Sequence, residues 1–590
     1  MHLKRSLCLF LAIAWFTVPS VNVHGEGSSG LVRTYPEIPL PERVHKLAWS
    51  GSEPLNRQVV RQTLSGLVAY AARQGETREL IWLHTERATP YHVWLERFEA
   101  RHPQVEMVDA PDELWDLVAH FQRANVVKGY VLYEPDQGRA YGREAPKDAS
   151  LNVATALCAL LGGIAIDPAL QAEAEARGLE QLADVRGRNE DWLFENYADQ
   201  FPTNLLVLQD PRTAVMRDAA VAFGAPIVFN TPGGAFETAL KRLEPGSPVF
   251  GWGMSHEDTF TGPIGEYAAT LIPANWCLNV PLLSAGEMEL PDFAFETPEP
   301  PRPEPGKRYV AFFLSDGDNL QWAANGFHNA DYWASPSRGA IPLGWGAPLM
   351  DLAQLYPDTL DYLAETATAN DDVLLYGIGG YHYPDTFGAK AGGLEDMAAH
   401  ASRVDGYLKA TGIGSAGVIF KDWNGAGAQN AYRVYAEQMP HLDAIFAVQY
   451  APYAAGQGEM MWYERDEADP LLVISPKYQI WQNHGDSAFG GSPNKVADAL
   501  NAWAKRPVAG PEDQYAWVIV HAWSKFQPQP LGTPYEAEEV DRSNPDAEQG
   551  YLPILWTAEK LSSDIEVVTP SQLVRLIRKQ KLSTGTPDAR

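Results

Sequence analysis

The sequence predicts an α/β protein in two parts, and three observations carry that prediction. Stretches with helical spacing of apolar residues alternate with short apolar strands along most of the chain. A proline-rich break interrupts the alternation once, between Leu290 and Arg308. Beyond it the strands are continuously apolar, as strands covered on both faces are, and they end in polar or aromatic residues. A chain of 590 residues has room for two or three domains. The expected division is an N-terminal α/β domain at residues 31–290, a linker at 291–308 and a C-terminal β/α domain at 309–580.

Ahead of these, Lys4 and Arg5 precede an apolar run from Leu7 to Val18, and Val23, His24 and Gly25 offer a cleavage point. Residues 1–25 therefore read as a signal peptide and the protein as secreted or periplasmic. The run is too short for a bilayer, which needs about 20 apolar residues, and no later run reaches that length, so no membrane span is expected. The mature chain keeps Cys158 and Cys277, and a single disulfide and two buried thiols stay equally open. A formal net charge of -29 argues against nucleic acid or an anionic membrane as partner, since binding either takes a basic face. The 18 Trp residues suit stacking on sugar rings, and they suit a large core as well.

In the N-terminal part, Asn56 to Ala72 places Val59, Val60, Leu64, Leu67, Val68 and Ala71 at helical spacing, and Glu79 to Leu83 follows as a strand. The unit recurs. Helical patterns at 112–124, 152–161, 192–201, 214–223 and 235–243 lead to strands at 129–133, 164–166, 205–208, 227–229 and 249–252. This is compatible with divergent repeats, although no strict period is visible. The break that follows, rich in proline from Pro298 to Pro305, forbids helix and disfavours a central strand.

Past the break, seven strands are expected at 309–314, 341–345, 373–377, 416–420, 444–448, 471–474 and 517–520, with an outer one at 565–568 before a closing helix from Ser571. Parallel strands joined by helices fit a (β/α) barrel or an open doubly wound sheet. In either, chemistry gathers where strands finish. The first strand finishes in Ser315, Asp316, Gly317, Asp318 and Asn319. If the backbone stays extended there, Asp316 and Asp318 share a side with Cβ atoms about 6 to 7 Å apart. Two carboxylates that close raise one another's proton affinity, which suits acid/base work or a cation. The same residues would also serve as a polar turn capping the next helix. Lys421, Asp422 and Trp423, then Gln449, then His521 follow later strands, so polar and aromatic groups arrive at one edge.

The turn after the third strand reads Gly377, Ile378, Gly379, Gly380, Tyr381, His382, Tyr383, Pro384. It resembles the signature of the GxGYxYP family, secreted proteins regarded as candidate glycoside hydrolases. Gly380, Tyr381, Tyr383 and Pro384 match, and Ile378 stands at the first glycine position. Leu314 to Trp322 looks like the family's aspartate motif, Pro342 to Trp345 like its next element, and Gln62 to Leu67 like the opening repeat of its N-terminal domain. The resemblance implies an N-terminal domain of divergent α/β repeats, a seven-stranded (β/α) barrel and a cleft between them. It also implies a carboxylate triad: Asp316, Asp318 and a glutamate mapping onto Glu257, with Asp258 adjacent.

Glycosidic hydrolysis needs an acid for the departing oxygen and a carboxylate on the other face. Glu257 is expected as the acid, with Asp316 and Asp318 deprotonating water, inversion being favoured. Asn319, Trp322, Trp345, Tyr381, His382, Tyr383, Lys421, Asp422, Trp423, Gln449 and His521 are candidates for contacting a carbohydrate. No cofactor or metal is expected. Two rival readings stand beside this one. A metal-dependent carbohydrate deacylase would use Asp316 and Asp318 with His382 or His521, and a non-catalytic carbohydrate-binding protein would use the same cleft.

Overall fold

The computed structural model describes residues 31–585 apart from 86–88, 111–113, 232–233, 289, 291–294, 296–297, 452, 454–455, 466–468, 485–487, 531 and 533–542. The leader expected at 1–25 and part of the linker lie outside the described residues. No helix among the described residues is long and apolar enough to cross a membrane.

Three small parallel sheets of one design build the N-terminal half. Arg43–Trp49 lies between Glu79–Thr85 and Glu106–Asp109, Gly129–Leu132 lies between Gly163–Ile166 and Glu180–Asp184, and Leu206–Leu208 lies between Ile227–Val228 and Pro248–Gly251. Thr270–Pro273 extends the third sheet. In every unit the first strand is central, and a helix (Leu55–Arg73, Ser150–Leu161 or Arg217–Phe223) carries the chain to the second strand. The repeat absent from the sequence is thus plain in the topology, because connections of unequal length put the units out of phase. The strands that composition failed to announce are mostly edge strands. Glu106–Asp109 and Glu180–Asp184 have no fully buried residue, so no apolar run marks them. Cys158 and Cys277 are both buried free thiols.

The C-terminal half is one sheet of eleven strands. All seven expected strands form: Arg308–Leu314, Leu343–Ala347, Asp371–Tyr376, Ser415–Phe420, Ala444–Gln449, Leu471–Ile474 and Tyr515–Val520, and every ladder between two of them is parallel, while Met460–Tyr463 pairs antiparallel on the outer side of Leu471–Ile474. Tyr478–Ile480, which the sequence did not announce, takes a further place beside Tyr515–Val520. Ile565–Val567 pairs with Arg308–Leu314 as the outer strand. The sheet curls on itself: Phe313 and Phe446, from strands four ladders apart, bring their rings to 5.6 Å, and Phe446 reaches Trp517 at 5.2 Å. Among the described residues no ladder joins Leu471–Ile474 to Tyr478–Ile480. That seam is crossed by the Trp517 indole N–H donating to the Ile474 carbonyl at 3.2 Å. The expected count of seven therefore meets an eleven-stranded sheet, whose extra members are short or sit at its margins.

One apolar core runs through both halves. Polar groups inside it are paired across the interface: Tyr35 Oη donates to Asp351 Oδ1 at 2.6 Å, Trp94 Nε1 to the Ala324 carbonyl at 2.7 Å, and Tyr356 Oη to the Leu278 carbonyl at 3.2 Å. An interface packed like an interior fixes the halves relative to each other.

The core also buries acids, and this predicts how stability depends on pH. Burial pushes Glu190, Asp218 and Asp351 up to about 7 and Asp372 up to about 6. In the unfolded chain these groups titrate near 4. Between about pH 4 and pH 7 the folded chain then binds more protons than the unfolded one, so unfolding free energy falls as pH rises. Self-repulsion of an acidic chain acts in the same direction. Calorimetry is expected to find the highest Tm near pH 5, about 4 °C or more above that at pH 8. A Tm that climbs from pH 5 to pH 8 would contradict the burial of these acids.

Candidate active site between the two halves

The strand Arg308–Leu314 is buried throughout and stops against the cleft. There the backbone turns: Asp316 has φ +65°, a left-handed conformation that non-glycine residues hold only where the surroundings impose it. Gly317 follows with its backbone against Gly346, where an added Cβ would lie 2.4 Å from the Gly346 Cα. The expected extended geometry is therefore replaced by a tight turn, and the turn still delivers Asp316 and Asp318 to one cleft. Asn319 fulfils the capping reading as well: its Oδ1 accepts from the Trp322 N–H at 3.1 Å and starts the helix Leu320–Ala323.

Glu257 comes from the other half. It follows the strand Pro248–Gly251 and directly precedes the helix Asp258–Glu266. The glycine-rich loop after Asp371–Tyr376 meets it. Tyr381 exchanges backbone hydrogen bonds with Leu271 of the N-terminal half, at 2.8 and 2.9 Å, and its hydroxyl donates to Glu257 Oε1 at 3.1 Å. Tyr383 Oη lies 3.2 Å from Tyr381 Oη behind it. Ile378 is fully buried in the core, which is why an apolar residue suffices at that place.

Gly380 sets how close this loop comes. Its φ is +120°, and a Cβ there would sit 2.7 Å from Ile272 Cδ1 and 2.8 Å from Thr270 Cβ. Gly380→Ala is expected to lose about 1–3 kcal/mol of stability and to pull Tyr381 off Glu257. Thermal unfolding together with turnover checks this; unchanged values of both would show that the loop does not position the tyrosine.

The cleft encloses about 340 Å³ and is lined by all three carboxylates, Glu257, Asp316 and Asp318. Its walls are aromatic. Tyr453, Trp481 and His521 form one continuous stack, with centroids 4.2 Å and 4.0 Å apart and planes 17° and 7° from parallel. Trp252, Tyr376, Tyr381 and Trp523 complete the lining. Burial, then the charge of Asp316 and that of Glu257, hold the Asp318 carboxyl well above the usual range. Burial also raises Glu257, the Tyr381 hydrogen bond pulls it partly back, and the charge of Asp316 raises it further. Both carboxyls, one on each side of the cleft, are thus shifted toward the protonated form.

Asp258 is turned away from this cleft and pairs with Lys421 Nζ at 3.5 Å. Of the two neighbouring acids, Glu257 is the one that lines it.

Of the expected contact residues, Asn319, Tyr381 and His521 line the cleft. Others belong to the packing around it. Trp322 is 6 % exposed among Phe327, Tyr332 and Trp523, and Trp345 is 1 % exposed, donating to Asp371 Oδ1 at 2.9 Å and stacking on Tyr551. His382 is buried against Phe387 and His400, and Trp423 is buried with its carbonyl held by Tyr432. Tyr383 supports Tyr381, and Lys421 lies over the Tyr383 and Tyr450 rings at 4.3 and 4.4 Å. Asp422 is exposed with its N–H on Asp385, and Gln449 holds the Tyr453 N–H by its carbonyl. Trp252, Tyr376, Tyr453, Trp481 and Trp523 line the cleft without having been singled out. Trp481 carried a usable signal, since it ends the strand Tyr478–Ile480 as the other edge residues end theirs.

A second cavity, of about 350 Å³, shares Trp252 and Asn319 with the cleft and Tyr141 and Trp276 with a basin of about 1220 Å³ walled by residues 135–148. The basin is larger, but the cleft is where carboxylates from both halves meet.

Residues 306–529 match the GxGYxYP putative glycoside hydrolase C-terminal domain, and residues 127–201 match the GxGYxYP_N second domain. The fold is similar to that of a putative hydrolase from Bacteroides thetaiotaomicron VPI-5482, with a TM-score of 0.71 and 22% identity over 92% of this chain and 96% of that one. None of the curated proteins matches this chain.

Proposed function

This chain carries GxGYxYP domains in both halves, and on that premise we propose that it hydrolyses glycosidic bonds of an oligo- or polysaccharide in the inter-domain cleft. The observation that carries the reading is that Glu257 from one half and Asp316 and Asp318 from the other line a single aromatic-walled cleft. In this scheme Glu257, whose carboxyl burial raises, gives its proton to the departing glycosidic oxygen. Water attacks the anomeric carbon, and Asp316 takes its proton. Asp318, the more buried of the pair, is shifted toward its protonated form by burial and by the charge of Asp316 and assists from beside it. Inversion is the favoured outcome, as it leaves a place for that water between acid and base.

The stacked Tyr453, Trp481 and His521 give a sugar face something to lie on. The continuation past Trp276, which is 55% exposed, gives further sugar units room. Secretion through the leader belongs to the same proposal and places the enzyme where polysaccharides are met. The deacylase reading loses support on two counts: His382 packs against Phe387 and His400, and His521, although it lines the cleft, does not converge with the two aspartates as a ligand set among the described residues.

Incubating the mature protein with a panel of plant and host glycans and assaying new reducing ends tests the reading. Release from at least one glycan is expected. Saturable binding without product over days would favour the non-catalytic alternative.

A further inference from the structure

Away from the cleft, the first sheet gathers a second set of reactive groups. Arg43–Trp49 and Glu79–Thr85 run parallel with Arg43 opposite Glu79, and His45 stands two residues along on the same face. The helix Leu114–Arg123 crosses that face and brings His120 in its last turn. Nε2 of His45 lies 2.5 Å from Glu79 Oε2, and Nε2 of His120 lies 2.8 Å from the same oxygen. All three donor atoms fall within 4.8 Å of one another, and among the described residues no other trio of His, Cys, Asp or Glu does this. The second carboxylate oxygen of Glu79 faces Arg43 Nη1 at 3.8 Å.

Two imidazoles converging on one oxygen, with an arginine near the other, satisfy a carboxylate, and the same arrangement surrounds an ion economically. Zinc-class ions bind imidazole nitrogen and carboxylate oxygen at about 2.0–2.2 Å, which puts neighbouring donors of a tetrahedron about 3.3 Å apart. The two imidazole–carboxylate distances need to open by less than about 1 Å to reach that spacing. The donor set suits zinc rather than calcium or magnesium, which prefer oxygen alone. The side chains are 9%, 23% and 35% exposed for His45, Glu79 and His120, so a fourth position opens toward solvent on the His120 side.

We propose that His45, Glu79 and His120 bind one divalent ion of the zinc class, tying two strands and a helix of the first repeat together, with Arg43 orienting the carboxylate. None of the three lines the cleft, so this site is independent of glycan hydrolysis.

The test uses the tag-free mature chain, treated with chelator, desalted and titrated with Zn²⁺ alone by calorimetry. One ion per chain is expected, with Tm rising on addition. His120→Ala and Glu79→Gln are expected to bind roughly tenfold more weakly or worse and to lose the Tm response. His120 is a third exposed, so its variant should keep the parent circular dichroism. Asp316→Asn should bind as the parent does. No saturable binding by the parent would overturn the proposal, and so would equal binding by His120→Ala or loss of binding in Asp316→Asn.

Discussion

Glu257→Gln is expected to lower kcat on a natural glycan about 10³-fold, the contribution usual for a positioned general acid, with little change in KM. The amide keeps the shape of the side chain and its bond from Tyr381 but has no proton to give. An aryl glycoside with an acidic phenol as leaving group needs no such proton, so there the loss should shrink to about tenfold or less. The pH profile adds an independent sign. Burial raises the Glu257 carboxyl, so the parent stays active to higher pH than a free glutamic acid would allow. Activity then declines as that proton leaves, and this alkaline limb should vanish in the glutamine variant. Equal losses on both substrates, or an unchanged limb, would take the acid role from Glu257.

Asp316→Asn is expected to cost about as much, again roughly 10³-fold in kcat, because water then lacks its base. Asp318→Asn should be milder, by about a factor of ten or more. Burial and the neighbouring charge shift the Asp318 carboxyl well upward, toward its protonated form, which an amide imitates. Replacing Asp318 by Ala should be worse than by Asn, since the buried position would lose its polar contact. Measuring kcat for the three variants on one glycan decides the matter. Equal losses in Asp316→Asn and Asp318→Asn would mean that the two carboxylates act as one unit without this division.

The strand that ends at Leu314 was legible because the apolar run Tyr309 to Leu314 leads into two acids, an order no core requires. The seven main strands of the C-terminal half were legible for the same reason, being apolar on both faces. What stayed hidden depends on contacts distant in sequence. Nothing near Trp345 shows that Asp371 waits to accept from its indole, and nothing near Trp322 shows that Trp523 packs against it. Both resemble sugar platforms until the fold encloses them. Conversely, Tyr453 sits in the connection after Ala444–Gln449 and Trp481 follows the three-residue strand Tyr478–Ile480, which is too short for apolar periodicity to register. The sequence allowed a polar turn after the strand but not the left-handed conformation of Asp316, because positive φ on an aspartate is imposed by its surroundings and leaves no mark in composition.

The central claim is that acids from both halves act on one sugar bond. It is tested most directly by a crystal structure of the Glu257→Gln variant with an oligosaccharide that the parent cleaves. The glycosidic oxygen is predicted within hydrogen-bonding distance of residue 257, with the anomeric carbon facing Asp316 across space for one water. An oligosaccharide seated in the basin of residues 135–148, with the three carboxylates untouched, would contradict it.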